Sequence, residues 1–161
     1  VSDEVASVIG SDEFNHGYTY SGHPVACAVA LENLRIMEEE DVIGHVRDVA
    51  APYLKEKWEA LTDHPLVGEA KISGMMASIA LTPDKKTRAK FASDAGTIGY
   101  ICREFCFGNN LIMRHVGDRM VISPPLVLTT DEIDTLIERA RKSLDQCYAK
   151  IKEDGLLVAA S

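Results

Sequence analysis

Apolar positions recur at helical spacing in four segments of the chain. These segments are residues 23–40, 42–61, 89–107 and 129–151. Each of them keeps one apolar face that a protein core could cover, so the pattern predicts four helices. Pro52 interrupts the second segment and predicts a kink or a bend, because proline has no backbone N–H to donate. The last helix has the clearest start, since Thr129 stands three residues before Glu132 in the pattern of a capping box.

Shorter apolar runs with the alternation of strands lie between the predicted helices. These runs are residues 67–72, 75–81, 111–113 and 120–122. Ser73-Gly74 and the segment 115–118 (His-Val-Gly-Asp) supply turn residues, which predicts two antiparallel hairpins. In this interpretation Arg114 ends the third strand, immediately before its turn. A small antiparallel sheet with helices packed against it predicts an α+β fold.

The composition limits the partners that the chain can have. Its 161 residues carry 25 acidic and 17 basic side chains, and the net charge of −8 argues against binding to nucleic acid or to an anionic membrane. No apolar run approaches the roughly 20 residues of a membrane span, and the first residues lack the pattern of a signal peptide, so we expect a cytoplasmic protein. The four cysteines and five histidines lack the spacing of metal ligands, which predicts reduced core thiols and no metal site.

Two features have the chemistry of an anion site. The segment 15–24, Asn-His-Gly-Tyr-Thr-Tyr-Ser-Gly-His-Pro, combines tight-turn glycines with the hydroxyls of Thr19 and Ser21 just before a helix, where backbone N–H groups point outward. The alternative is an ordinary helix start capped by Ser21. Arg114 has a guanidinium that can bind a carboxylate through two parallel hydrogen bonds. The alternative for Arg114 is a surface ion pair, for example with Asp118.

The segment 17–24 closely resembles the Gly-x-Thr-Tyr-Ser-Gly-His-Pro stretch of the class III pyridoxal-phosphate-dependent aminotransferases, the omega-aminotransferase group of fold type I. Similarity continues in the segments 63–69, 111–114 and 116–125, and it covers nearly the whole chain. The resemblance implies roughly the last third of a family member. Residues 1–40 would be the end of the large cofactor-binding domain with its connecting helix, and residues 41–161 would be the C-terminal small domain.

The resemblance also implies roles for individual residues. Thr19 would bind the phosphate of pyridoxal phosphate in the active site of the neighbouring subunit of a homodimer, and Tyr18 would lie beside the cofactor. Arg114 would bind the α-carboxylate of the amino or oxo acid and swing aside for an amine. Arg119 does not match this position and is interpreted as a surface residue. None of the nine lysines has the context of the family's cofactor-linking lysine, so no catalytic residue is expected in this chain.

Within the family, the sequence most resembles the pyruvate-dependent enzymes that use ω-amines or diamines such as putrescine. The implied activity is transfer of an amino group from such an amine to an oxo acid. Two alternatives stay open: another class III enzyme such as a decarboxylase, an aminomutase or a racemase, and a non-catalytic dimerisation or ligand-binding domain. The segment Lys71-Ile-Ser-Gly departs from the family's usual Arg-Gly-x-Gly.

Overall fold

The structure is a computed structural model, which describes residues 1–14 and 16–160. Asn15, the first residue of the segment 15–24, lies outside the described residues. Backbone packing divides the chain into two units, Val1–Glu40 and a larger unit that begins at Asp41. The two units are described separately below.

The first unit contains two helices, α1 (Asp3–Ile9) and α2 (Pro24–Glu39). Ser2 caps α1, because its hydroxyl accepts a hydrogen bond from the backbone N–H of Val5. Proline occupies the first position of α2, where its missing N–H costs nothing. The helix predicted over residues 23–40 is therefore confirmed. Neither helix contains a buried residue, and most large apolar side chains of α2 are exposed, including Val25, Val29 and Leu34.

The second unit begins with an irregular helical segment where the sequence predicts a single helix. Short α3 (Val42–His45) leads into a π-helical turn at Val46–Ala50, followed by α4 (Ala51–Ala60) and a 3-10 turn at Leu61–Asp63. The interruption attributed to Pro52 takes the form of this wide turn, which immediately precedes α4. Proline cannot donate a backbone hydrogen bond to the preceding turn, so the regular α-helical ladder cannot pass through it.

The sheet has four antiparallel strands in the order β1-β2-β4-β3. The strands are β1 (Val67–Ser73), β2 (Met76–Leu81), β3 (Arg114–Val116) and β4 (Arg119–Ile122). The strand predicted at residues 111–113 is wrong, and Arg114 begins β3 instead of ending a strand. Leu111 and Met113 are buried in the core, and the pairing with β4 starts only where Arg114 lies opposite Val121.

The third predicted helix begins later than its sequence pattern indicates. Helix α5 runs over Thr97–Gly108, and its N-cap is Gly96, whose φ of +93° requires a left-handed backbone. The preceding segment is extended near Phe91, which forms an isolated bridge to Ala159 near the C-terminus. The last helix, α6 (Thr130–Glu153), has the predicted capping box, in which Thr129 and Glu132 each bond the other's backbone N–H.

The helices of the second unit cover one face of the sheet and leave the other face open. The core joins Trp58, Ile79, Met120 and Leu144, which come from α4, β2, β4 and α6. Pairing register places a separate set of residues on the opposite face, which we call the open face. Its members include Glu69, Lys71, Ser78, Ala80, Arg114, Val116, Arg119 and Val121. This arrangement confirms the α+β fold.

His64 should make the stability of the second unit depend on pH. Its side chain is buried, and its Nδ1 accepts a hydrogen bond of 3.1 Å from the backbone N–H of Leu66. The proton therefore sits on Nε2, 3.2 Å from a carboxylate oxygen of Asp145. Burial lowers the pKa of His64 below its ordinary value of 6.5, and this outweighs the opposing effect of Asp145.

The unfolded chain consequently binds more protons than the folded chain in this pH range. We expect the free energy of unfolding to be highest above pH 6.5 and to fall as the pH drops from 6.5 through the lowered pKa. Urea unfolding at pH 7 and at pH 5 measures this difference. His64→Gln should reduce the pH dependence, whereas the same change at the exposed His23 should not. If the free energy of unfolding changed with pH by the same amount in the wild-type protein and in His64→Gln, His64 would be excluded as the cause.

Candidate functional site

The segment that precedes α2 folds into two consecutive tight turns. The Oγ atom of Ser21 accepts a hydrogen bond of 2.9 Å from the backbone N–H of Tyr18, and the backbone N–H of Ser21 donates to the carbonyl of Tyr18 at 2.9 Å. Gly22 has a φ of +75°, which allows the chain to reverse into the helix. Ser21 therefore closes a turn. The N-cap of α2 is His23, whose side chain makes no capping hydrogen bond.

Thr19 lies at the tip of these turns with its side chain exposed. Its hydroxyl makes no hydrogen bond with any of the residues 1–14 and 16–160. Tyr18 beside it is 76% exposed, and its ring meets the ring of His16 edge to face with a centroid distance of 5.3 Å. The tip therefore offers a free hydroxyl close in sequence to the first N–H groups of α2, which no side chain caps. Such donors fit a phosphate group.

Arg114 lies on β3, the edge strand of the sheet, and its side chain projects outward on the open face. It is exposed, and within the described part of the chain its guanidinium forms no ion pair or hydrogen bond. The alternative ion pair with Asp118 does not form in the structure, and a carboxylate oxygen of Asp118 instead accepts a hydrogen bond of 2.9 Å from the backbone N–H of Gly99. Arg114 thus has a fixed backbone and a free cationic group, which can bind a carboxylate.

The β3–β4 turn is held against the start of α5. Gly99 is the third residue of α5, so the Asp118 carboxylate satisfies a free N–H group at the positive end of the helix. The carbonyl of Asp118 also accepts a hydrogen bond of 2.9 Å from the backbone N–H of Leu81. Gly117, with a φ of +56°, forms the turn itself. These contacts fix the hairpin that carries Arg114.

Gly99→Ala should destabilise the second unit, because the helix and the turn approach each other most closely at this glycine. A Cβ atom on Gly99 would lie 2.2 Å from the carbonyl oxygen of Gly117, which is backbone and cannot rotate away. We expect a loss of about 1–3 kcal/mol in the free energy of unfolding, the usual range for overpacking a buried site. Chemical denaturation measures this change.

Gly108→Ala is the matched control, since it lies in the same helix and a Cβ there meets no atom within 4 Å. It should leave the free energy of unfolding unchanged or raise it by up to about 1 kcal/mol, because alanine favours the helix. If both substitutions had the same effect, the close contact between Gly99 and Gly117 would not be real.

Arg119, interpreted from the sequence as a surface residue, is instead half-buried and paired. Its guanidinium donates to Glu69 at 3.0 Å and to the hydroxyl of Ser78 at 3.1 Å. Glu69 also lies 3.3 Å from Lys71 and 3.5 Å from Arg88. Hydrogen bonds from Arg119 and then from Lys71 lower the pKa of Glu69, so this carboxyl stays ionised.

Three of the four cysteines lie in the core, as the sequence predicts. Cys102, Cys106 and Cys147 are buried without disulfides between α5 and α6, whereas Cys27 on α2 is exposed. Among residues 1–14 and 16–160, no group of three histidine, cysteine or acidic side chains could hold a metal ion. In the same residues, no helix is long and apolar enough to cross a membrane.

Comparisons with known proteins agree on one family. The family model described as "Aminotransferase class-III" matches residues 1–144. The chain is 56% identical over 152 residues to the putrescine–pyruvate aminotransferase of Pseudomonas aeruginosa, covering 94% of the chain and 33% of that relative. It is 37% identical over 158 residues to the chloroplastic gamma aminobutyrate transaminase 3 of Solanum lycopersicum, covering 95% of the chain and 30% of that protein.

Solved structures give the same result. One is a transaminase with L-alanine, at a TM-score of 0.79 and 34% identity, covering 92% of this chain and 34% of that one. Another is a thermostable omega transaminase variant from Pseudomonas jessenii, also at a TM-score of 0.79 and 34% identity, covering 92% of this chain and 32% of that one. The chain therefore spans about one third of the length of the relatives that it matches.

Proposed function

The chain belongs to the class III aminotransferases, and we propose that it is the C-terminal third of a pyridoxal-phosphate-dependent enzyme. This enzyme would transfer an amino group from an ω-amine or a diamine such as putrescine to an oxo acid such as pyruvate. The observation that carries the proposal is Arg114, a free guanidinium mounted on a fixed hairpin of the open face. The 56% identity to a putrescine–pyruvate aminotransferase supports the choice of substrates.

Thr19 and its turn are proposed to hold the phosphate of the cofactor. Pyridoxal phosphate, when bound, supplies an electron sink for the transfer of the amino group. The free hydroxyl of Thr19 can donate to a phosphate oxygen, and the exposed ring of Tyr18 can lie against the cofactor. Because both side chains point outward from a turn tip, they suit a site on another subunit. We propose that two copies of the protein share their active sites in this way.

Arg114 is proposed to bind the carboxylate of the oxo acid. Two parallel hydrogen bonds from a guanidinium fix the position of a carboxylate better than the point charge of a lysine can. The same pocket has to admit a cationic diamine in the other half of the reaction. Arg114 makes no ion pair with the described residues, so it can turn away from a cation without breaking an internal contact. A movable arginine thus accommodates both substrates.

The two units are proposed to belong to different domains of the whole enzyme. Residues 1–40 would end the large domain and form the connecting helix, and residues 41–161 would form the C-terminal small domain. The lysine that links the cofactor covalently would lie in the remaining part of the protein. By resemblance to the family, we propose that none of the nine lysines in this sequence fills that role.

The direct test is an assay of the full-length protein with pyridoxal phosphate, putrescine and pyruvate. We expect alanine to accumulate in step with the loss of putrescine. Release of carbon dioxide from an amino acid without alanine formation would identify a decarboxylase instead. No turnover of any amine by a protein that binds the cofactor would indicate a non-catalytic role and contradict the proposal.

A further inference from the structure

The open face carries a second arginine within reach of Arg114. Arg114 lies opposite Val121 in the β3–β4 ladder, and Arg119 is two residues from Val121 on the same strand. The two arginines are therefore diagonal neighbours on one face, at a spacing of about 7–8 Å that long side chains can bridge. Arg119 and Val121 also line an open concavity of about 600 Å³ together with Lys71 and Ser78.

The two arginines differ in their hydrogen-bond and ion-pair partners. Glu69 on β1 and Ser78 on β2 accept hydrogen bonds from the guanidinium of Arg119, whereas Arg114 has no such bond to the part of the chain that the structure describes. The side chain of Glu69 is only 20% exposed, whereas that of Arg119 is 38% exposed. Glu69 faces three cations, namely Arg119, Lys71 and Arg88. It therefore neutralises part of the positive charge and holds Arg119 away from a ligand on the open face.

We propose that Glu69 determines the specificity of the oxo-acid site by holding Arg119, so that the site accepts monocarboxylic oxo acids in preference to dicarboxylic ones. This inference rests on the proposed role of Arg114. With Arg119 held, one cation serves the carboxylate of a substrate such as pyruvate, and a second carboxylate would approach the ionised Glu69. With Glu69 removed, Arg119 becomes a second guanidinium at a suitable spacing for the far carboxylate of a dicarboxylic acid.

The test compares pyruvate with 2-oxoglutarate as amino acceptors in the full-length holoenzyme. Glu69→Ala should raise the ratio of kcat/KM for 2-oxoglutarate to kcat/KM for pyruvate by about tenfold, the usual size of one added charged hydrogen bond. Glu69→Gln keeps the shape of the side chain and an acceptor for Arg119, so it should raise the ratio less. If Glu69→Ala does not fold, the direction of the change in Glu69→Gln still tests the proposal.

Two further variants show whether Arg119 is responsible. Adding Arg119→Gln to Glu69→Ala should return the ratio to its wild-type value. Asp63→Asn is the matched control, because Asp63 also holds an arginine, Arg141, at 2.8 Å but away from the open face. It should leave the ratio unchanged.

The results distinguish failure of the proposed role of Glu69 from failure of the proposed function. An unchanged ratio in both Glu69 variants, with pyruvate still converted to alanine, would overturn the role of Glu69 and leave the proposed function intact. A raised ratio that persists without Arg119 would also overturn it. If the wild-type enzyme formed no alanine from pyruvate, the proposed function itself would fail.

Discussion

Arg114→Ala should lower kcat/KM for the oxo-acid half of the reaction by about 30-fold or more, because truncating one partner of a hydrogen-bonded charge pair typically costs about 2–5 kcal/mol. The diamine half should change by no more than about threefold, since no carboxylate is present in that step. The difference follows from the geometry, because the guanidinium on the edge strand can bind an anion and has no ion pair with residues 1–14 or 16–160 to lose.

Stopped-flow measurement of each half-reaction separates the two effects. Arg114→Lys should recover only part of the loss, because an ammonium group cannot form the two parallel hydrogen bonds. Arg47→Ala is a suitable control, since Arg47 is exposed in the second unit and pairs with its sequence neighbour Asp48. Equal losses in both half-reactions of Arg114→Ala would show that Arg114 acts on the fold or on the cofactor instead of on the carboxylate.

Thr19→Val should raise the Kd for pyridoxal phosphate by about 10- to 100-fold, the range for losing a hydrogen bond to a charged group. Valine has nearly the same shape as threonine but cannot donate to a phosphate oxygen. Thr19→Ser keeps the hydroxyl and should bind the cofactor almost as tightly as the wild-type protein. Thr62→Val, on the 3-10 turn of the second unit, should have no effect on cofactor binding.

Equilibrium dialysis of the full-length protein gives these dissociation constants directly. An unchanged Kd in Thr19→Val would remove Thr19 from the phosphate site. If the Kd for pyridoxal phosphate rose as much in Thr19→Ser as in Thr19→Val, the methyl group of Thr19, and not its hydroxyl, would be responsible for cofactor binding.

Local signals in the sequence predict the elements whose ends are fixed by nearby residues. The capping box at Thr129 and Glu132 correctly starts α6, and Ser73-Gly74 correctly joins β1 to β2. The start of α5 is missed because the apolar period continues from residue 89, while the bridge from Phe91 to Ala159 and the left-handed backbone of Gly96 keep that segment out of a helix. The apolar run at 111–113 indicates a strand, but Leu111 and Met113 pack into the core before the ladder begins.

At the candidate site, too, the sequence predicts what is local and misses what depends on tertiary contacts. The residues Thr19 and Arg114 follow from motifs that are continuous in the sequence. The pairing of Arg119 with Glu69 joins β4 to β1 across β2, so it depends on a strand register that only the fold supplies. The role of Asp118 at the start of α5 is hidden for a similar reason, since its partner Gly99 lies 19 residues earlier. The alternation of Glu69 and Lys71 with uncharged residues along β1 is a signal for the open face that the sequence does contain.

The most direct test of the account is a mixed dimer of the full-length protein, because the central claim is that Thr19 completes the active site of the partner subunit. One subunit carries Thr19→Val, and the other keeps Thr19 but has its cofactor-linking lysine replaced by alanine. Activity is measured at a cofactor concentration that saturates the wild-type dimer but not the Thr19→Val dimer. We predict about half of the wild-type activity, since the one site with a lysine receives Thr19 from its partner. Activity no higher than half that of the Thr19→Val dimer would contradict the claim.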